Sequence, residues 1–391
     1  MIAKGAGPST AAESPWMVEE LAAVGELART FFVKEVVPHE PRFAKQGFPD
    51  RELFRRAGEL GLLCMSIPAE YGGGGGTCAH DAVLFIEQTK ASVGCMHLGV
   101  HSSIVPNYLL AYASEEQKQR WLPKLAGGEW VGAIAMTEPG AGSDLQNITT
   151  RAVREGDEYV ISGAKTFISN GHNCDLVIIA AKTDPSARAA GVSLLVAEVG
   201  DDTPGFTRGK IIEKLGQKSQ DTTELFFDGL RVPAANLLGT GEGQGFAQLM
   251  SQLAHERLLC AVTAVAATEH AVQLCVDYTK ERKAFGKPLF DLQNTRFELA
   301  ECATTARIGR GFVDELIVRH LRGDLDPVTA AMAKYWTTEQ QCSVIDRCLQ
   351  LFGGYGYTLE YQIGRMYADA RIQRIYAGAN EIMKELIARS L

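Results

Sequence analysis

The 391-residue sequence has no basic excess: 47 acidic side chains against 39 basic ones leave a formal net charge of −8. Sequence-independent nucleic-acid binding needs a basic face that displaces counterions, so no nucleic-acid partner is expected. The nine cysteines are odd in number and no two are spaced as CxxC, which argues for reduced, buried thiols and against a disulfide framework or a zinc site. The opening MIAKGAGPSTAAESPW has neither the apolar core of a secretory signal nor an Arg-rich amphipathic pattern. No apolar run of membrane-spanning length is free of polar residues, and the closing Arg389-Ser390-Leu391 is not the peroxisomal SKL. The expectation is a cytoplasmic, bacterial protein without a membrane.

Common site patterns are missing too. GxGxxG is absent, so a Rossmann dinucleotide site has no support. GxxxxGK[ST] and GxSxG are absent, and His255-Glu256 lacks the second histidine of a zincin. His97 and His101 are four apart but have no third ligand, so no metal is expected.

What is present is ordinary globular composition, 46% hydrophobic and 22% charged, on a chain long enough for about two or three domains. From Ser14 to Gly128 apolar residues recur three and four apart, as at Leu21, Val24, Leu27 and Phe31, which predicts helices. Gly72 to Gly76 reads as a flexible connection or a close approach of backbone to ligand. From Trp130 to Gly239 short runs such as 158–162, 176–179, 192–196 and 224–227 predict strands. No helix separates them, so antiparallel pairing in a small barrel or sandwich is expected. After Gly245 helices are predicted at 246–278, 291–321, 326–351 and 381–389, with Asp326 as N-cap before Pro327. The fold class is α+β, divided into a flexible N-terminus (1–14), a helical domain (15–129), a β domain (130–240) and a helical domain (241–391).

Four features carry chemistry. The stretch Met136 to Asp144, rich in small residues and hydroxyls, can donate hydrogen bonds to an anionic or heteroaromatic ligand, or is a tight connection. In Lys165 to Gly171, alternation should bring Phe167 and Ser169 to one strand face, as an aromatic wall or as plain core. Arg282 to Pro288, with Gln293 beyond, can hold a phosphate or simply end a helix with cations. Glu256, on an otherwise apolar helix, must be desolvated unless it faces a cleft. Desolvation raises a carboxyl toward neutrality, where a general base works well. Arg257 is adjacent and a poor intrahelical partner. The other reading of Glu256 is a buried ion pair with another helix.

In this order and spacing, Ala135–Asp144, Gly163–Gly171, Glu281–Lys287, Gln350–Gly356 and Asp369–Ile372 resemble the acyl-CoA dehydrogenases from about Trp16 to Leu391. Glu256-Arg257-Leu258-Leu259 and Asn380–Arg389 look most like the long-chain branch. The resemblance implies a helical domain, a β-barrel-like domain, a C-terminal four-helix bundle and a homotetramer with one FAD per subunit. It implies that Ile134, Met136, Thr137, Gly142, Ser143, Phe167 and Ser169 line the flavin. Arg282, Phe285 and Gln293, with Gln350, Phe352, Gly353 and Gly354 from a partner arrangement, would hold its adenosine diphosphate part. Asn380 and Glu381 would also meet the cofactor, and Ser143, Arg257, Tyr376, Ala377 and Gly378 the acyl-CoA.

One departure is informative. Many members carry the catalytic glutamate between a tyrosine and a glycine, where this chain reads Tyr376-Ala377-Gly378. Ala377 cannot take a proton. The long-chain and isovaleryl branches resemble this sequence instead, with their base at the position of Glu256. Ala379 also replaces a usual threonine or serine. The implied reaction is α,β-dehydrogenation: Glu256 takes the pro-R Cα proton and Cβ delivers hydride to flavin N5. The thioester carbonyl would be polarised by the Ala377 N–H and a ribityl hydroxyl, and an electron-transfer flavoprotein would accept the electrons. A flavin oxidase or monooxygenase on the same fold, and a non-catalytic member, are the alternatives.

Overall fold

The computed structural model describes residues 14–391, in which helices, then a sheet, then helices follow one another. The expected flexible N-terminus lies outside the described residues except for Ser14, which is buried and donates to Asp314 at 2.8 Å.

The first region holds α1 (Glu19–Phe31), α2 (Glu40–Gln46), α3 (Glu52–Glu59), α4 (Cys78–Lys90), α5 (Val105–Tyr112) and α6 (Glu115–Ala126). Thr77 caps α4, and Ser114 with Gln117 forms a capping box at α6. A π-helical stretch, Gly99–Ile104, leads into α5. The glycine run is not a flexible connection. The amides of Gly73, Gly74, Gly75 and Gly76 donate to the carbonyls of Pro68, Cys64, Ile67 and Met65 at 3.2, 3.2, 2.8 and 2.8 Å. A Cβ on Gly73 would lie 2.2 Å from the Ile67 carbonyl oxygen, so two backbones meet where no side chain fits.

The sheet is built from β1 (Gly132–Ala135), β2 (Arg151–Glu155), β3 (Glu158–Ser169), β4 (Leu176–Lys182), β5 (Val192–Glu198), β6 (Phe206–Ile211) and β7 (Thr222–Pro233). Their order is β1-β4-β2-β3-β7-β6, with β5 also on β4. Most pairs are antiparallel as expected, but β1 runs parallel to β4, with Gly132 opposite Leu176. The chain leaves through β2 and β3 before returning, and a crossover that long permits parallel pairing. Every residue of β4 is buried. Leu176, Ile178 and Ala180 face the core shared with the first helices, while Val177, Ile179 and Ala181 fill the core inside the sheet. Covering on both faces explains the unbroken apolar run.

The last region comprises α7 (Gly245–Glu281), α8 (Gln293–Arg322), α9 (Pro327–Phe352), α10 (Gln362–Ala370) and α11 (Asn380–Ala388). Asp326 caps α9 as expected, accepting from the amides of Val328 and Thr329 at 3.0 and 2.8 Å. The nine-residue α10 had no counterpart among the predicted helices. By length and apolarity α7 is able to cross a membrane, yet 72% of its most apolar window is buried inside the protein. Leu258, Ala261, Val262 and Val265 pack with Ala82, Val83 and Ile86 of α4 and Val313 and Leu316 of α8. It is a core helix. All nine cysteines are free thiols.

Candidate active site

Glu256 lies in the first half of α7, only 7% exposed, between the helical domains. Its hydrogen-bond donor is a phenol and not a cation on another helix: Tyr108 Oη of α5 reaches Glu256 Oε1 at 3.0 Å. Burial pushes the carboxyl up to about 7, against the opposing pull of the Tyr108 hydrogen bond and the Arg257 charge. A carboxylate poised there is half-ionised at neutral pH and can take a proton. Arg257 is 4% exposed, and its Nε has no hydrogen-bond partner. Burial lowers the guanidinium's pKa, with Glu256 opposing.

The segment 376–380 approaches this pair. Ala377 and Gly378 are both left-handed, at φ 53 and 89, and a Cβ on Gly378 would lie 3.9 Å from Arg257 Nη2. Lys334 of α9 fixes the turn by donating to the Gly378 carbonyl at 2.7 Å and to Asn380 Oδ1 at 2.9 Å. Asn380 is 2% exposed and spends its amide on Thr338 and Glu339, so its side chain holds the turn together. Glu381 is exposed. Tyr376 sits edge-on to His97, with ring centroids 6.3 Å apart.

The two central motifs meet through Lys165. Its Nζ donates to the Met136 carbonyl and to Glu138 Oε1, both at 2.9 Å, while the Thr166 amide donates to Thr137 O at 3.0 Å. Burial pushes Glu138 up, but Lys165 and the Thr149 and Thr150 donors outweigh it and hold the carboxyl at about 2. Ile134, Met136 and Thr137 are half-buried behind this pair, and Gly142 and Ser143 are exposed at the loop. Phe167 and Ser169 flank the buried Ile168 on the less buried side, as alternation predicts, but the alternation is broken just before them. The β3–β7 register shifts between Lys165 and Ile168, Lys165 and Thr166 are buried in succession, and Phe167 takes φ 57. Phe167 is also not core, being 63% exposed. A large ring held out by a left-handed backbone, on a strand tied to the loop whose Gly140 and Gly142 have open space around them, fits a flat heteroaromatic group.

Arg282, Phe285 and Gln293 are elsewhere. Arg282 follows the last residue of the helix that carries Glu256, twenty-six residues on, about 39 Å at 1.5 Å per residue. There α7 meets the end of α9: Tyr278 stacks on Phe352 at 4.0 Å, and the Arg282 guanidinium lies 5.6 Å from the Tyr355 ring centre. Gly353 and Gly354 have open space where a Cβ would be, Gln293 and Gln350 are exposed, and Phe285 is 93% exposed. One chain therefore brings the 376–378 turn to Arg257, next to Glu256 on α7, and separately the cationic helix end and the Gln350–Gly354 turn together. Tyr108, Lys165, Glu138 and Lys334 were not foreseen. Only Lys165 carried a signal, a lysine inside a strand motif beside an aromatic.

Comparison with known proteins accounts for this arrangement. Models of the acyl-CoA dehydrogenase N-terminal, middle and C-terminal domains match residues 18–129, 133–230 and 243–391. A mitochondrial long-chain specific acyl-CoA dehydrogenase of Sus scrofa is 45% identical over 368 residues, 94% of this chain and 85% of its own. An acyl-CoA dehydrogenase of Geobacillus kaustophilus of known structure superposes with a TM-score of 0.93 at 46% identity, covering 96% of this chain and 99% of its own. A Mycobacterium smegmatis glutaryl-CoA dehydrogenase solved in complex with FADH2 superposes with a TM-score of 0.89 at 27% identity, covering 96% and 95%. With three domain models matched in order and this likeness over nearly the whole length, the chain belongs to the acyl-CoA dehydrogenase family.

Proposed function

We propose that the protein is an FAD-dependent dehydrogenase that introduces a trans-2,3 double bond into an acyl-CoA thioester, with Glu256 as the base. The observation that carries this reading is the buried Glu256 carboxyl, held by Tyr108 and raised to about 7, with the 376–378 turn approaching the adjacent Arg257. The exposed, left-handed Phe167 and the open glycine loop 140–142 are the residues that would hold the isoalloxazine ring. When bound, the flavin supplies a two-electron acceptor at N5 for the hydride leaving Cβ. Glu256 takes the Cα proton and becomes a neutral acid, the better-tolerated form at a buried site. The Ala377 N–H would polarise the thioester carbonyl and acidify Cα. The distance along α7 supports a homo-oligomer, read as a homotetramer, in which Arg282, Phe285, Gln293 and the Gln350–Gly354 turn complete a neighbour's cofactor site.

On this reading the three regions 15–129, 130–240 and 241–391 are the domains. The physiological role is acyl-CoA catabolism by β-oxidation in the cytoplasm, with an electron-transfer flavoprotein as acceptor. The decisive experiment is Glu256→Gln with flavin retained. Turnover of a saturated acyl-CoA should fall at least about 100-fold. Near-normal turnover overturns the assignment.

A further inference from the structure

The π-helical stretch Gly99–Ile104 and α5 grip two consecutive residues of α7. Ser103 Oγ lies 2.8 Å from His255 Nε2 and donates to Asp81 Oδ2 at 2.9 Å, where Ser66 also donates at 2.7 Å. His255 Nδ1 is 3.0 Å from His320 Nε2 of α8. One turn further on, Tyr108 is fully buried and bonds Glu256 Oε1 at 3.0 Å, while its next acceptor, the Leu249 carbonyl, is at 3.5 Å. The backbone position of the glutamate is thus fixed through its neighbour, and its carboxylate orientation through the phenol. π-helical turns recur at functional sites because the extra residue re-aims the helix that follows.

We propose that Tyr108 is the positioning residue for the base: its O–H pins Glu256 Oε1 and leaves Oε2 as the oxygen that takes the Cα proton. This rests on Glu256 being the base. A carboxylate free to rotate about its last side-chain bond presents either oxygen at varying angles, and one anchored oxygen removes that freedom. The groups acting on Glu256 are Tyr108 from α5 and Arg257 beside it on α7. Lys334 of α9 acts on Arg257, and Tyr112 acts on Tyr108.

The test compares Tyr108→Phe with Tyr112→Phe in the full-length, flavin-loaded protein. Tyr112 is a neighbouring ring whose hydroxyl bonds Ser251 and not Glu256. Infrared titration follows the carboxylic-acid band that disappears in Glu256→Gln. A phenol donates more strongly to the charged form than to the neutral acid, so in Tyr108→Phe the midpoint of that band and the acid limb of kcat/KM should rise by about one unit. At low pH kcat should fall about tenfold with KM within about twofold. Tyr112→Phe should leave all three unchanged. An unmoved midpoint with kcat within about twofold of the parent overturns the inference. An inactive Glu256→Gln alongside a parent-like Tyr108→Phe rejects the positioning role and keeps the base. A shifted band with an active Glu256→Gln rejects the base, and with it this role, while the contact itself stands.

Discussion

Lys165 lies 2.9 Å from Glu138 with both side chains almost wholly buried, and the pair joins strand β3 to the loop that follows β1. Two motifs 27 residues apart are set against each other by this ion pair and by the Thr166–Thr137 backbone bond. The pair also takes the Met136 carbonyl and the Thr149 and Thr150 donors, so its lone pairs and protons are well satisfied.

Breaking that pair should be costly. Lys165→Met leaves Glu138 buried without its cation, and removing one partner of such a pair typically costs about 3–5 kcal/mol. The melting temperature should drop and flavin should be lost more easily, which absorbance during gel filtration measures. The acid side tests the same pair. The folded Glu138 carboxyl is held at about 2, below its ordinary 4.5, so its contribution is fully present above about 4.5 and lost as pH falls through 2. Lys165→Met should therefore unfold at a higher pH than the parent on acidification.

Glu256 moves the other way. With its carboxyl raised to about 7, the ionised base accumulates as pH rises, and kcat/KM should climb about tenfold per unit below 7 and level off above it. Stability carries the opposite sign: the raised carboxyl favours folding at low pH, and that contribution declines from about 4.5 to 7. A pH–rate profile of the free enzyme and urea titrations across the same range check both trends.

Moving the base is a sharper demand. In Glu256→Gln/Ala377→Glu the carboxylate sits on the turn that already approaches Arg257. Ala377 already adopts φ 53, so a glutamate adds no new backbone strain. Activity should recover at least about tenfold over Glu256→Gln alone. Steady-state assays of the two variants at equal flavin content decide it.

Gly73→Ala tests the loop near α4. The new Cβ would meet the Ile67 carbonyl oxygen at 2.2 Å, and the two backbones must part. Destabilisation above about 1 kcal/mol is expected in urea unfolding, whereas Gly61→Ala meets no atom within 4 Å and differs mainly through its φ of 69.

Glu256 was readable from sequence because a charge on an apolar helix is a local anomaly. The start of α9 was readable because a cap is local too. Tyr108 was not, for it lies 148 residues away in a segment that reads as ordinary core. Lys334 likewise looks like a surface lysine until α11 and its turn fold over it. The parallel β1–β4 pair escaped because periodicity records which face a residue occupies and not which strand lies beside it. Phe167 was legible as a candidate aromatic wall, but its exposure was not, because one left-handed residue resets the alternation that pattern reading relies on.

The contact between Asp314 and the start of the described chain has a consequence for synthesis. Trp16 Nε1 and Ser14 Oγ both donate to Asp314 at 2.8 Å, spanning 298 and 300 residues. Trp16 can pack against α4 early, but its Asp314 partner arrives only when α8 has left the ribosome. The apolar faces of α1 and α4 that meet α7 and α8 stay uncovered until those helices emerge, which leaves the nascent chain open to aggregation through most of translation.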